Sequence, residues 1–503
     1  MSSVLRSTPG LLRQLARTTT KPRVLPACTC SPAEPSSSSS TSRRLLSSSS
    51  RSKIASTEQR NEHANPSTLL TDHPVPDVES ISRLEGLMRL GEQLSREANK
   101  IGTVPARLRG VGVYERGQSQ PAPLAAVKSK ELPTTRRMAD SYVQMDLPFS
   151  QDESLREQYV GGLSKVRMGR LMEDFDSLAG AAAYRYVLPD GGEISDASGV
   201  LYLVTAAVDR MDVLRPVVNP DGSVPDVRLS AHVSYATSSS LEVFVRMSTI
   251  PTAGGDSETI LLGRFAMACR SAQGGKFPVP KLDVRGPEER AVWQMGKEMR
   301  EGKTKRSQQS LTKTPPTADE AAMMHELFLT NSEIYDRKAS TPKEIVWMAD
   351  TRVNSATLMH PQERNVHNKV FGGYLMRIAY ETAYSTACLF ARSAVTFVSL
   401  DELQFAQPVE IGSLLLLDSK VTFSPMQGEH RSFHVSVEAA TCDLYTGERR
   451  LTNVFHWTFS SDRPLQRHVL PRSYRQTMQW LDAQRRRKVG IEVRKGYEQA
   501  VEP

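Results

Sequence analysis

The chain has 503 residues, of which 39% are hydrophobic and 24% charged, which is the balance of an ordinary soluble globular protein. No run of apolar residues approaches the length that spans a bilayer, so the sequence predicts no integral membrane segment. The formal net charge of +8 is confined to residues 1–57, which contain nine Lys or Arg and one acid, while the rest of the chain has 55 basic and 55 acidic side chains. A neutral remainder argues against a nucleic-acid partner.

Residues 1–57 are rich in Arg and Ser and nearly free of acids, which is typical of a mitochondrial transit peptide. We therefore predict a mitochondrial protein, located in the matrix. A disordered basic tail would have the same composition. Residues 58–138 are predicted to form a polar N-terminal extension with one helix over Val78–Ala98, whose apolar residues recur at helical spacing.

The remaining chain contains an internal repeat. Segment Val208–Val217 recurs as Leu400–Val409, with Asp209 and Asp401 placed 192 residues apart. Upstream, Lys165–Gly169 matches the segment that begins 204 residues later. Matching segments in a fixed order with a drifting offset predict two copies of one domain with loops of different length. The predicted boundaries are 139–282 and 344–461 for the domains, 283–343 for a charged helical linker and 462–503 for a basic tail.

Each copy is predicted to contain one helix followed by strands. In chain order, the predictions are a helix over Gly169–Tyr186, strands over Gly199–Val208, Arg228–Tyr235, Ser240–Ser248 and Thr259–Arg270, linker helices over Glu288–Glu301 and Ala318–Leu329, a helix over Tyr374–Arg392 with four strands after it, and a short, solvated tail helix over Tyr474–Lys488. Ala379, Ala383, Ala387 and Ala391 recur every four residues, which indicates a helix buried among neighbours. We predict an α+β fold, an antiparallel sheet curved around a central helix in each copy.

A polar segment precedes the helix of the second copy. It reads HPQERNVHNKVFGG from His360 to Gly373. Gly372 and Gly373 would let a substrate approach the backbone, and the first N–H groups of the helix could stabilise a negative oxygen. Asn365, His367 and Asn368 could orient a water molecule or hydrogen-bond a carbonyl. A plain polar loop ending in a glycine turn is the alternative.

The first copy supplies an acid that the second lacks. Asp176 lies seven residues after Gly169, on nearly the same helix face, and the matching residue of the second copy is Tyr380. A carboxylate in an apolar helix neighbourhood is costly unless it is used or paired, so we predict a functional role for Asp176. Glu173 and Asp174 are expected to be ordinary surface carboxylates.

The segments His360–Asn368 and Val370–Arg377 resemble the mitochondrial acyl-CoA thioesterases of the double-hotdog type, and the resemblance extends over residues 140–461. It implies two tandem hotdog domains that hydrolyse fatty acyl-CoA to free fatty acid and CoA at a site shared between them. It further implies that Gly372 and Gly373 bind the thioester oxygen and that Asp176 is the general base or nucleophile.

The resemblance also bears on the loop and on assembly. One of Asn365, His367 and Asn368 would hold the water or the carbonyl, but Lys369 stands where many single-hotdog relatives have Asp or Asn three positions before the first glycine, which leaves open which of the three is essential. Relatives of this type form trimers, so a homo-oligomer is expected.

Because the half-sites are complementary, we predict one active site per chain. The pseudo-symmetric site, with Tyr380 against Ser164, is predicted to be inactive. No cofactor and no metal are predicted, because the sequence shows no nucleotide-binding glycine loop, metal-ligand spacing or serine-nucleophile motif.

Two other functions are compatible with these residues. A hotdog acyl-CoA hydratase would use an Asp/His pair such as Asp176 and His367 to add water across a double bond. A non-catalytic acyl-CoA-binding or scaffold protein would retain the fold alone. Release of a free thiol from acyl-CoA separates hydrolysis from both.

Overall fold

The computed structural model describes residues 88–95, 132–161, 166–189, 199–219, 221–251, 257–336, 342–365, 368–426 and 430–501. The predicted transit peptide lies outside these residues, and so does most of the predicted extension. Within the helix predicted over Val78–Ala98, residues 88–95 are described and are helical (α1).

The other helices of the described chain are α2 (Glu153–Tyr159), α3 (Met168–Val187), α4 (Gly286–Gln308), α5 (Ala318–Asp336), α6 (Gly372–Ala391) and α7 (Tyr474–Val501). The strands are β1 (Thr135–Arg137), β2 (Val143–Leu147), β3 (Leu201–Val213), β4 (Val227–Ala236), β5 (Ser240–Thr249), β6 (Thr259–Ser271), β7 (Lys281–Asp283), β8 (Ile345–Trp347), β9 (Val353–Leu358), β10 (Val395–Gln404), β11 (Leu414–Phe423), β12 (Ser432–Cys442), β13 (Arg449–Ser461) and β14 (His468–Leu470).

Ten strands form one antiparallel sheet in the order β2-β4-β5-β6-β3-β10-β13-β12-β11-β9. Its two halves are mirror-ordered, because each repeat contributes five strands in the same arrangement. They join where β3 pairs with β10, with Arg210 opposite Asp401. Two small parallel pairs, β1 with β7 and β8 with β14, connect the start and the end of each repeat. The sheet therefore has approximate twofold symmetry about the β3–β10 seam.

Helices α3 and α6 lie against this sheet and against each other. The alanines at 379, 383 and 387 are fully buried in α6, as the four-residue spacing predicted. The two helices approach closely at equivalent glycines. A Cβ on Gly169 would lie 3.2 Å from the carbonyl oxygen of Arg377, and a Cβ on Gly373 would lie 3.0 Å from Cα of Glu173. The predicted α+β fold of two hotdog repeats is confirmed.

The tail helix differs from its prediction. It was expected to be short and solvated, but α7 runs from Tyr474 to Val501 and buries Trp480 and Leu481. Its charges form ion pairs, including a bidentate pair of Arg485 with Glu320 of α5 at 2.6 Å. The prediction was wrong because a run of charged residues does not show whether opposite charges lie beside it in space. Helix α7 therefore covers the sheet of the second repeat.

Candidate active site

The carboxylate of Asp176 lies beside the first turn of α6, the helix of the other repeat, as predicted. It belongs to α3 of the first repeat, whereas Gly372 and Gly373 begin α6 of the second. A Cβ on Gly372 would lie 3.1 Å from Oδ2 of Asp176, and the Gly373 N–H donates a hydrogen bond to the Asp176 carboxylate. The crossing of the two helices thus brings an acid and a glycine turn together from different copies of the domain.

The environment of Asp176 changes its acidity. The side chain is 3% exposed, and burial raises its pKa from the ordinary value to about 6, while the hydrogen bonds from Thr205 and Gly373 oppose that rise. Nearby Glu173 adds a smaller raising effect. A carboxylate with a pKa near 6 is ionised at neutral pH and yet basic enough to accept a proton, as a general base requires.

Two neighbours of Asp176 were not recognised in the sequence. Thr205 on β3 donates a hydrogen bond of 2.6 Å to Oδ1 of Asp176. Phe405, just after β10, covers the glycine turn, because its ring carbon Cζ lies 3.3 Å from the Cβ position of Gly372. The only sequence signal for either residue is the repeat itself, which aligns Thr205 with Phe397 and Val213 with Phe405 at the 192-residue offset.

Two hydrogen bonds connect Asn365 and Lys369 in the polar segment before α6. The Asn365 side chain accepts a hydrogen bond from the Lys369 N–H at 3.1 Å, and the Asn365 N–H donates to the Lys369 carbonyl at 2.7 Å. Asn368 adopts a left-handed backbone with φ of 57°, which Asn tolerates better than most residues. His367 lies outside the described residues. The structure therefore assigns Asn365 a part in shaping the turn, and the catalytic roles of Asn365, His367 and Asn368 stay predictions.

The side chain of Lys369 pairs with Glu410 and not with the residues of the glycine turn. Its ammonium forms an ion pair of 2.6 Å with Glu410, and both side chains are well exposed. The loop is linked to α6 by the Phe371 N–H, which donates to the Glu363 carbonyl at 2.9 Å. Single-hotdog relatives often have Asp or Asn at the position of Lys369. Because the Lys369 side chain is exposed beside Glu410, this substitution leaves the glycine turn in place.

Glu173 and Asp174 are not surface carboxylates, and that expectation was wrong. They are 7% and 8% exposed. Glu173 pairs with Arg170 at 2.7 Å and with Arg377 of α6 at 3.2 Å. Asp174 accepts a hydrogen bond of 2.6 Å from the Tyr159 hydroxyl. Buried carboxylates are stable only when paired, and one partner of Glu173, Arg377, comes from the other repeat.

The pseudo-symmetric position has a different composition. Tyr380 replaces the acid, and its ring lies 3.3 Å from the Cβ position of Gly169, the repeat equivalent of Gly373. Phe397 stands where Thr205 stands in the first repeat, and each of the two residues is followed by a β-bulge. Ser164, predicted to face Tyr380, lies outside the described residues. The carboxylate of the first repeat is therefore replaced here by an aromatic side chain.

Several proteins named as acyl-CoA thioesterases or hydrolases are similar to this chain. No protein-family model matches the sequence. The chain is 37% identical over 72% of its length to the mitochondrial acyl-coenzyme A thioesterase 9 of Bos taurus, covering 80% of that protein. It is 35% identical over 71% of its length to the human thioesterase of the same name, covering 79% of it. Among solved structures, an acyl-CoA hydrolase from Staphylococcus aureus is similar at a TM-score of 0.29 and 23% identity, over 31% of this chain and 97% of that one.

Proposed function

The chain belongs to the mitochondrial acyl-coenzyme A thioesterases, and we propose that it hydrolyses fatty acyl-CoA at one composite site between its two repeats. The observation that supports this site is the contact of a buried carboxylate with a glycine turn on the other repeat, 3.1 Å from the Cβ position of Gly372. Each repeat supplies a half of the site that the other repeat lacks.

The groups of this site account for each step of thioester hydrolysis. Asp176 takes a proton from water, and the water oxygen forms a bond to the thioester carbonyl carbon. The Gly373 N–H already donates to Asp176, so the negative charge on the carbonyl oxygen is stabilised by the other backbone N–H groups of the first turn of α6, which lack intrahelical acceptors. When the C–S bond breaks, Asp176 returns its proton to the sulfur, so the products are a carboxylic acid and CoA thiol. Asn365, His367 or Asn368 would hold the water or the carbonyl.

A double-mutant cycle tests whether the two halves form one site. Asp176→Asn and Gly372→Ala are measured alone and together, with thiol release from acyl-CoA as the readout. Residues that act as a unit give a double variant no slower than the slower single variant. Effects that multiply fully would show two independent contributions and would contradict the composite site. Loss of acyl-CoA without thiol release would instead indicate a hydratase.

The proposal of one active site per chain rests on the replacement of Asp176 by Tyr380. A tyrosine buried among aromatic rings has no carboxylate chemistry, and burial raises its pKa further above the ordinary value. Asp176→Asn alone should remove nearly all thiol release, because a second active centre would leave about half of it. Tyr380→Phe should keep thiol release within about twofold of the unchanged protein, whereas a large loss would place a second catalytic centre there.

Location and assembly follow the relatives. The thioesterases of Bos taurus and Homo sapiens are named mitochondrial, which supports a mitochondrial location, and we propose the matrix. Within the described residues, none of the helices is long and apolar enough to cross a membrane. We propose a trimer, since β2 and β9 are the end strands of the ten-stranded sheet in the described part of the chain, where neighbouring chains could pack. Light scattering of the purified chain should give three times the monomer mass, and a monomer would contradict this proposal.

A further inference from the structure

A cavity of about 530 Å³ lies at the pseudo-symmetric position, between the start of α3, the segment after β3 and one face of α6. This volume is within the range of roughly 300–1,000 Å³ of small-molecule pockets. Its walls include Val213, Val217, Val395 and Phe397, together with the ring of Tyr380. The replacement of the acid has therefore not filled this half-site.

The repeat explains why this half-site is open. In the Asp176 site, Phe405 covers the glycine turn, but its repeat equivalent is the smaller Val213, which lines the cavity. The hydroxyl of Thr205 is likewise replaced by the apolar ring of Phe397. The cavity thus has the apolar walls of an acyl pocket and lacks the carboxylate that would activate water.

Tyr380 provides one polar group inside this cavity. Its side chain is 6% exposed, its ring contacts Phe397, Trp457 and Phe459, and no described residue forms a hydrogen bond with its hydroxyl. The Tyr380 hydroxyl is not one of the sealed buried polar atoms that lack a partner, and Tyr380 lines the cavity. An acyl oxygen placed there would accept its hydrogen bond in place of water. The neighbouring hydroxyl of Tyr384, which also lines the cavity, is already engaged with Cys388.

We propose that this cavity binds a fatty acyl group without hydrolysing it, with the chain between the apolar walls and the acyl oxygen accepting a hydrogen bond from Tyr380. The inference rests on the proposed function only for the choice of ligand. The acyl group could come from acyl-CoA or from the free fatty acid that the reaction releases. The exposed ion pair of Arg167 and Glu381, 3.4 Å apart, lines the cavity and places one charge of each sign there.

Isothermal titration calorimetry tests the stoichiometry. The probe for acyl-CoA is a ketone analogue of decanoyl-CoA, in which a methylene separates the carbonyl from sulfur, so that wild-type protein cannot cleave it. The probe for the free acid is decanoate. We expect two equivalents of one or both probes per chain, and the probe that fills the second site identifies the source. A single equivalent of each probe would overturn the proposal.

Variants assign the second equivalent to this cavity. Val217→Trp places a large ring in it and should reduce binding to one equivalent per chain with thiol release unchanged. Thr396→Trp is the second variant, for use if Val217→Trp folds poorly. Thr396 is an exposed strand residue that also lines the cavity, so its replacement should likewise reduce binding to one equivalent per chain. Two equivalents retained in a folded filled variant would contradict the assignment.

Tyr380→Phe tests the hydrogen bond. It should weaken the second binding event about fivefold, as the loss of one net hydrogen bond implies, whereas Tyr384→Phe should leave it unchanged. Equal effects of the two substitutions would contradict the role of the Tyr380 hydroxyl. The two proposals can fail separately. A chain that binds two equivalents but releases no thiol from any acyl-CoA would support the second binding site and contradict the proposed thioesterase activity.

Discussion

Replacing Asp176 by Asn should lower activity and raise stability together. The amide cannot accept a proton from water, so kcat/KM should fall by roughly 10²–10⁴. The amide can still bond to Thr205 and to the Gly373 N–H, because a hydroxyl partner can donate or accept. The packing of the site is therefore kept while its charge is removed.

The expected gain in stability follows from the pKa of the carboxyl. Burial raises that pKa from 3.8 to about 6, and each unit corresponds to about 1.4 kcal/mol, so the ionised group destabilises the folded protein by roughly 3 kcal/mol well above pH 6. Because the folded-state pKa is the higher one, the folded protein binds this proton more tightly. Its contribution to stability is fully present below about pH 4 and is lost as the pH rises through about 6.

Denaturant unfolding at pH 5 and pH 8 measures this effect. The stability advantage of Asp176→Asn over the unchanged protein should be larger at pH 8, by on the order of 1 to 2 kcal/mol. Asp176→Ala removes the hydrogen bonds as well and serves as the control for lost contacts. If the stability advantage of Asp176→Asn over the unchanged protein is smaller at pH 8 than at pH 5, the buried carboxylate does not destabilise the folded protein and the reasoning is refuted.

Further substitutions probe the remaining parts of the site. In the unchanged enzyme, kcat/KM should fall about tenfold per pH unit below about pH 6. Thr205→Val should move this acidic limb of the pH profile to higher pH, because the Thr205 hydrogen bond lowers the pKa of Asp176. If the limb does not move, it reports the titration of another group. Gly372→Ala should reduce kcat/KM with little change in unfolding temperature, since its Cβ meets the carboxylate at 3.1 Å. Gly373→Ala should instead lower the unfolding temperature, because its Cβ would lie 3.0 Å from the backbone of α3. Lys369→Ala should change kcat/KM less than threefold and stability by at most about 1 kcal/mol, as expected for an exposed ion pair.

Much of the fold was predictable because hydrophobic spacing and the repeat report local structure. Strands β5 and β6 begin at the predicted residues, Ser240 and Thr259. Helix α6 begins two residues before its predicted start, because the glycines expected to form a turn are its first two residues. The extent of α7 was not predictable, since a polar helix is stabilised here by partners such as Glu320 that lie far away in sequence.

The residues of the candidate site could be predicted where the sequences of the two repeats differ. Their contacts could not, because these depend on how the helices and the sheet pack. The absence of an acid at Tyr380 singled out Asp176, and the structure brings it to the glycine turn. The hydrogen bond from Thr205 arises from the packing of α3 on the sheet, which no spacing reveals. The same reason explains the error at Glu173, whose partner Arg377 is 204 residues away.

That distance of 204 residues is the offset between the repeats, so Glu173 and Arg377 occupy equivalent positions that face each other at the pseudo-twofold axis. In a dimer of identical chains, such a position would meet itself, and a half-buried charge would face a like charge. One chain with two repeats can place opposite charges there. The same freedom allows Asp176 on one side and Tyr380 on the other. An asymmetric helix crossing can thus hold one carboxylate against one glycine turn and leave the opposite half-site free for a different use.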